Sequence, residues 1–272
     1  MIPEPNELLN RYEYRAKKRF GQHFLYDPAI LGRILDSAKV AEGDSVLEIG
    51  PGPGTLTSML MLRGANVKAV ELDRDACEFL THELVPHGLT LVQGDARRID
   101  YGFVDQTWSC VANLPYNVAN EITFSLLEFP FKSLTLMYQK EVADRICANV
   151  GDDAYSALTL AMQLRSKVRR VMVLPPGAFR PPPKVHSAVV VFEPIIGTRI
   201  PDMVERKRFE KIVRGSFNVR RKTLVNGLRT IGLTREVAVD AVERAGLDPN
   251  VRPERVDFDG FLALTRVLVD AI

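Results

Sequence analysis

The run Asn113-Leu114-Pro115-Tyr116 holds the residue types best suited to chemistry. An apolar stretch over Ser109–Ala112 reads as a strand that ends at Asn113, and Pro115 forces the next residues into a rigid extended turn. Such a turn sets the Asn113 side-chain oxygen beside the backbone carbonyl of Leu114. Two fixed acceptors can hold an exocyclic amino group and aim the lone pair of its nitrogen, while Tyr116 offers a flat face to a planar substrate. An Asn-x-Pro turn also occurs as plain structure, so its meaning rests on what surrounds it.

Three further sites surround it. In Val46-Leu47-Glu48-Ile49-Gly50-Pro51-Gly52-Pro53-Gly54-Thr55 an apolar strand runs into alternating glycines and then a helix start. Glycines admit a ligand close to the backbone, and a helix N-terminus offers unpaired N–H groups. A dinucleotide site wants its third glycine where Thr55 stands, and the Gly-Lys-Ser/Thr of a phosphate-binding loop is missing, so the spacing fits a pyrophosphate poorly. Glu71 ends a second apolar strand about twenty residues past the loop, where an acid can accept both hydrogen bonds of a ribose diol. Asp95 ends a third, placed to accept from an adenine amino group. Acids at C-terminal strand ends are common singly; together these point to a nucleoside cofactor without a pyrophosphate.

The elements that position these residues alternate. Ser45–Ile49, Asn66–Glu71, Thr90–Gln93 and Ser109–Ala112 read as strands, with helical spacing over Thr55–Leu62 and 75–84. Strands at 134–138, 168–174 and 187–193 follow, with a helix at 141–148 and a proline-rich loop at 175–183. This alternation predicts βαβ units and a Rossmann-like α/β parallel sheet. After a linker at 195–201 the strand signal stops, and helices are expected at 204–217, 220–229, 235–245 and 258–269, with Gly227 and Gly232 punctuating their ends. The reading is an α/β domain over 1–195 and a small all-helical domain over 196–272.

With 272 residues, 46% hydrophobic and 26% charged, the chain has the composition of a globular enzyme. Membrane span, collagen, disordered chain and secreted disulfide scaffold are excluded, and residues 1–10, with two acids and two prolines, do not read as a secretory signal. Cys77, Cys110 and Cys147 have no metal-ligand spacing and read as small buried side chains. The net charge of +2 hides clusters: five basic residues against one acid at 11–20, four with no acid at 165–170, and eight against two acids at 205–222. Such patches suit a polyanion, although any one of them can be a solvated helix face.

Gly21-Gln22-His23-Phe24-Leu25, the 48–54 loop, Glu71, Asp95, Asn113 to Tyr116, Phe179-Arg180-Pro181-Pro182-Pro183-Lys184-Val185 and the Arg-Arg-Lys-Thr-Leu run at 220–224 occur in the order of the KsgA family. The chain resembles these S-adenosylmethionine-dependent ribosomal RNA adenine N6-dimethyltransferases from about residue 19 to its end. The resemblance implies a class I methyltransferase fold with S-adenosylmethionine as cofactor and no metal. His23 and Leu25 would touch the cofactor largely through backbone, in a family that often carries Asn at position 23. Gly50 would lie against the methionine part with Gly52 in the same loop, Glu71 would bind the ribose hydroxyls and Asp95 the adenine. Asn113 and Leu114 would hold the target amine, with Tyr116 and Phe179 stacking on the target base. Arg206, Lys207, Arg208, Arg220, Arg221 and Lys222 would contact RNA. The implied partner is small-subunit rRNA within a pre-30S-type particle, and the implied protein is a cytoplasmic monomer without membrane contact. Large-subunit adenine methyltransferases of macrolide resistance share most of the cofactor motifs. A ribosome-assembly factor is the reading outside catalysis, and a nicotinamide-dependent oxidoreductase the one from fold alone.

Overall fold

The computed structural model describes residues 1–12, 23–219, 222–269 and 271. The chain divides into two compact units, Met1–Ala143 with Val168–Pro194, and Asp144–Lys167 with Ile195–Ile272. The strands are β1 (Phe24–Leu25), β2 (Ser45–Ile49), β3 (Asn66–Glu71), β4 (Thr90–Gln93), β5 (Ser109–Ala112), β6 (Ser133–Gln139), β7 (Ser166–Leu174), β8 (Phe179–Arg180) and β9 (Ser187–Pro194). The α-helices are α1 (Pro5–Arg11), α2 (Pro28–Ser37), α3 (Thr55–Leu62), α4 (Arg74–Glu83), α5 (Ala119–Leu126), α6 (Lys140–Ile146), α7 (Ala157–Gln163), α8 (Met203–Phe217), α9 (Leu224–Arg229), α10 (Arg235–Arg244) and α11 (Phe258–Val267).

The first unit is built on a seven-stranded sheet in the order β4-β3-β2-β5-β6-β9-β7. The pairs β4–β3, β3–β2, β2–β5 and β5–β6 are parallel, and β9 runs antiparallel to β6. Apolar side chains such as Val46, Val67, Val111 and Val189 bury the sheet under flanking helices, as a parallel sheet covered on both faces requires. The chain order reverses between β2 and β5, so the C-terminal ends of β2, β3, β4 and β5 open onto one crevice, the place where such sheets bind ligands.

The expected strands form at or within two residues of their predicted bounds. Two helices absent from the sequence reading, α1 and α2, precede the sheet. The second has a local cause: the Asp27 side chain accepts from Ala29 N at 2.9 Å, and Pro28 occupies the first turn. The loop expected at 175–183 contains β8, which pairs antiparallel with β1 through Phe24↔Arg180 and Leu25↔Phe179. Two-residue strands leave no periodic signal.

The second unit is helical. Its core joins Leu160, Leu164, Phe209, Ile212, Phe261 and Leu264. The expected single boundary near 195 therefore needs correction: residues 144–167 belong with the C-terminal helices, because the apolar faces of α7 and Tyr155 pack there. Gly227 also differs from expectation. It lies inside α9, where a Cβ would stand 2.6 Å from Ser216 Cα, so its role is to let α8 and α9 backbones meet. Among the described residues no helix is long and apolar enough to cross a membrane. None of the three cysteines is joined in a disulfide; Cys77 and Cys110 are buried and Cys147 partly so.

Candidate active site

The crevice holds a cavity of about 280 Å³ lined by residues from the ends of four strands: Gly50 and Gly52 after β2, Glu71 of β3, Asp95 after β4, and Asn113 to Tyr116 after β5. His23 and Phe24 close another wall.

The glycine loop is shaped for close approach. Gly52 has φ +55°, and a Cβ there would stand 2.5 Å from the Phe24 ring. Glu71 is 5% exposed and ties this loop to β3: Oε2 accepts from Gly52 N at 3.0 Å and Oε1 from Asp73 N at 2.8 Å. Burial raises the Glu71 carboxyl above the ordinary carboxylate range, with the amides of Asp73, Gly52 and Leu72 pulling it back. Each oxygen retains a second acceptor direction for a ligand hydroxyl.

Asp95 is gripped by Arg97, a residue missed by the sequence reading. Arg97 Nε reaches Oδ1 at 3.0 Å and Nη2 reaches Oδ2 at 2.7 Å, and Nη1 extends to Glu121 Oε2 on α5 at 3.2 Å. These side-chain hydrogen bonds hold the Asp95 carboxyl below its usual range. Only the two-residue offset from Asp95 could have signalled the pair.

At the turn after β5, Asn113 Nδ2 donates to the His23 backbone carbonyl at 2.6 Å. A carbonyl only accepts, so this contact fixes the amide with Oδ1 as the free acceptor. Leu114 is buried at the cavity wall. The Tyr116 hydroxyl pairs with Ser187 Oγ at 2.6 Å, and its ring stacks on His23 with centroids 5.8 Å apart and planes 28° from parallel. Burial raises the Tyr116 phenol, the Ser187 contact opposing it.

Phe179 is 3% exposed and Leu25 2%, and both side chains belong to the apolar core rather than the cavity wall, which leaves the backbone contact expected of Leu25 untouched. They are register partners across β1 and β8, so their side chains share one face, while Phe24, one residue away, turns to the cavity. Phe179, expected with Tyr116 around the target base, thus does not line the cavity, and the ring that stacks on Tyr116 is that of His23. Gly21 and Gln22 lie outside the described residues.

The pattern of the family described as ribosomal RNA adenine dimethylase matches residues 13–268. The chain belongs to that family. It is 43% identical over 256 residues to the ribosomal RNA small subunit methyltransferase A of Caulobacter vibrioides, covering 92% of this chain and 96% of that one. It is 38% identical over 272 residues to the same-named protein of Clostridium botulinum strain Langeland, covering 98% of each. Among solved structures it is similar to a dimethyladenosine transferase from Plasmodium falciparum, with TM-score 0.74 and 29% identity over 89% of this chain and 96% of that one. It is also similar to the 23S rRNA methyltransferase ErmE, with TM-score 0.70 and 25% identity over 90% and 99%.

Ribosomal RNA adenine dimethylases are S-adenosylmethionine-dependent methyltransferases, and the cavity of this one suits that cofactor. Glu71 supplies carboxylate oxygens at the end of β3, Asp95 an acceptor after β4, and Ile49, Val70, Leu72 and Ile122 apolar lining. Among the described residues no cluster of side chains suited to a metal ion occurs.

The basic residues expected to meet RNA divide. Arg206 turns inward, with Nε donating to Ile200 O at 3.1 Å and Nη2 to Pro201 O at 3.2 Å, a brace for the linker. Arg208 is half-buried and partnered. Lys207 and Lys222 are exposed, and Lys211 and Arg214 join Lys207 on one exposed face of α8 at helical spacing. Arg220 and Arg221, like residues 13–19 of the first basic cluster, lie outside the described residues.

Proposed function

We propose that this dimethylase methylates the N6 amines of two adjacent adenines in a small-subunit rRNA hairpin, within a pre-30S-type particle, to give N6,N6-dimethyladenosine. When bound, S-adenosylmethionine supplies an electrophilic methyl group on a sulfonium, a good leaving group. The observation that carries the reading is the Asn113 Nδ2 contact to the His23 carbonyl, which leaves Oδ1 committed as an acceptor at a cavity wall.

An adenine amine is a weak nucleophile because its lone pair is delocalised into the ring. Accepting its two protons at Asn113 Oδ1 and the Leu114 carbonyl favours a pyramidal nitrogen with its lone pair turned to the methyl group. This is catalysis by positioning, for which effective molarities of roughly 10⁵–10⁸ M mark the scale. Tyr116 supplies a stacking face that offsets part of the few kcal/mol needed to unstack the target base. Glu71, Asp95, Gly50 and Gly52 hold the cofactor. Lys207, Lys211, Arg214 and Lys222 meet the RNA backbone, and the protein acts as a cytoplasmic monomer. The relatives named small subunit methyltransferase A support the small subunit as the target, and the likeness to ErmE keeps the large subunit as the alternative.

The test is transfer of labelled methyl groups to purified small and large ribosomal subunits, read by nucleoside mass spectrometry. N6,N6-dimethyladenosine in small-subunit RNA alone is expected. Label confined to large-subunit RNA would move the enzyme to the ErmE-like branch, and tight binding without label would make it an assembly factor.

A further inference from the structure

Methyl transfer to an amine creates a proton that must go somewhere. The bond from N6 to the methyl carbon forms as the carbon–sulfur bond breaks with its electrons kept by sulfur, and N6 is left cationic until it sheds one hydrogen. Asn113 Oδ1 and the Leu114 carbonyl accept hydrogen bonds but are too weakly basic to keep a proton. Five titratable side chains line the cavity among the described residues: His23, Glu71, Asp95, Arg97 and Tyr116. Glu71 is committed to two backbone amides, Asp95 and Arg97 are committed to each other, and Tyr116 is a phenol whose burial disfavours charge.

His23 stands apart. Its Nδ1 lies 2.8 Å from the Pro181 carbonyl oxygen, which can only accept, so Nδ1 carries the hydrogen and Nε2 carries the lone pair. Its ring stacks on Tyr116, and its own backbone carbonyl holds Asn113. One residue therefore touches both parts of the site that present the target base, and it is partly open to solvent. Besides the cavity residues, Arg180 of β8, the register partner of Phe24, brings a fixed charge to this strand pair, its guanidinium over the Tyr26 ring at 5.4 Å.

We propose that His23 Nε2 accepts the proton released from adenine N6, directly or through one water, and passes it to solvent. The proposal rests on the methyltransferase reading above. Imidazole is in general the side chain that takes up and releases a proton near neutrality, and the bare Nε2 is the nitrogen placed to do so here. The Asn113 contact is to the His23 backbone, so replacing the ring leaves it in place.

Single-turnover methyl transfer is followed from pH 5.5 to pH 8.5 for wild type, His23→Asn and His23→Ala, with cofactor affinity measured calorimetrically. Wild type should show an acid limb approaching tenfold per pH unit. His23→Asn should lack it and be at least about tenfold slower at pH 8, a loss below the roughly 10²–10⁴ of a typical general base because water substitutes in part. Added imidazole should restore rate to His23→Ala, and cofactor affinity should stay within about threefold. Independently of activity, ¹⁵N-histidine spectra at pH 8, with the His23 signal identified by its loss in His23→Asn, should show Nδ1 bearing the hydrogen and Nε2 bare. An unchanged acid limb and a rate within twofold in His23→Asn would overturn the proposal, as would a hydrogen on Nε2. Absence of methylated adenine from wild type at every pH would instead overturn the methyltransferase reading beneath it.

Discussion

At the cavity of the α/β unit the polar side chains are held by named neighbours: Asn113 by the His23 carbonyl, Glu71 by the amides of Gly52 and Asp73, Asp95 by Arg97, Tyr116 by Ser187. On α8 of the helical unit, Lys207, Lys211 and Arg214 stand exposed at helical spacing. The first arrangement fixes direction and suits making and breaking bonds; the second supplies charge without direction and suits a phosphate backbone. The contrast implies that single substitutions at the cavity abolish function, whereas single substitutions on α8 dilute it.

The largest effect is expected for Asn113→Ala. Removing the committed acceptor should lower single-turnover methyl transfer by about 10³-fold, the scale of losing a preorganised hydrogen-bonding group. Next is Glu71→Ala, which should weaken cofactor binding by roughly 10–100-fold in calorimetry, since the cavity loses its diol acceptor and the Gly52 amide loses its partner.

A buried acid behind the cavity sharpens the contrast through stability. Glu48 is 1% exposed, and its Oε2 has no hydrogen-bond partner among the described residues. Burial raises its carboxyl to about 8, with Thr57 opposing and Glu71 adding to the rise. Between the unfolded value of 4.5 and this folded value the native state holds a proton that the unfolded chain releases. Stability therefore falls as pH rises through this window, by up to about 1.4 kcal/mol per unit, and levels off above it. Thermal melts of Glu48→Gln should lose that slope; an equal slope in both proteins would contradict a protonated Glu48.

Phe179→Leu tests the division inside the α/β unit. As a core residue it should cost about 1–2 kcal/mol of stability and leave transfer at a permissive temperature within twofold. Lost transfer with unchanged melting would return Phe179 to the target base. The smallest effects belong to α8: Lys207→Ala, Lys211→Ala and Arg214→Ala should each weaken RNA binding a few-fold and flatten the salt dependence of log affinity by about one unit of slope or less. A tenfold loss from one of them would reveal a held, directional contact there.

What could be read in the sequence follows the same contrast. The strand ends carrying Gly50, Glu71, Asp95 and Asn113 were legible because parallel strands are near-continuous apolar runs closed by glycine, acid or amide, and the sheet brings those ends together without further information. The β1–β8 pair was not, since two residues carry no period, and with it went the difference between Phe24 at the cavity and Phe179 in the core. Residues 144–167 were misplaced because which core an amphipathic segment joins is decided by distant partners such as Phe209 and Phe261. Basic composition marked 205–222, but only the fold separates Arg206, turned into the linker, from Lys211 and Arg214 on the open face.

The measurement closest to the central claim pairs two quantities on the Asn113→Ala protein: single-turnover methyl transfer to small ribosomal subunits and calorimetric affinity for S-adenosylmethionine. If Asn113 Oδ1 orients the target amine, the rate falls by about 10³-fold while cofactor affinity stays within a few-fold. A rate within twofold of wild type, or a loss carried wholly by cofactor binding, would contradict it.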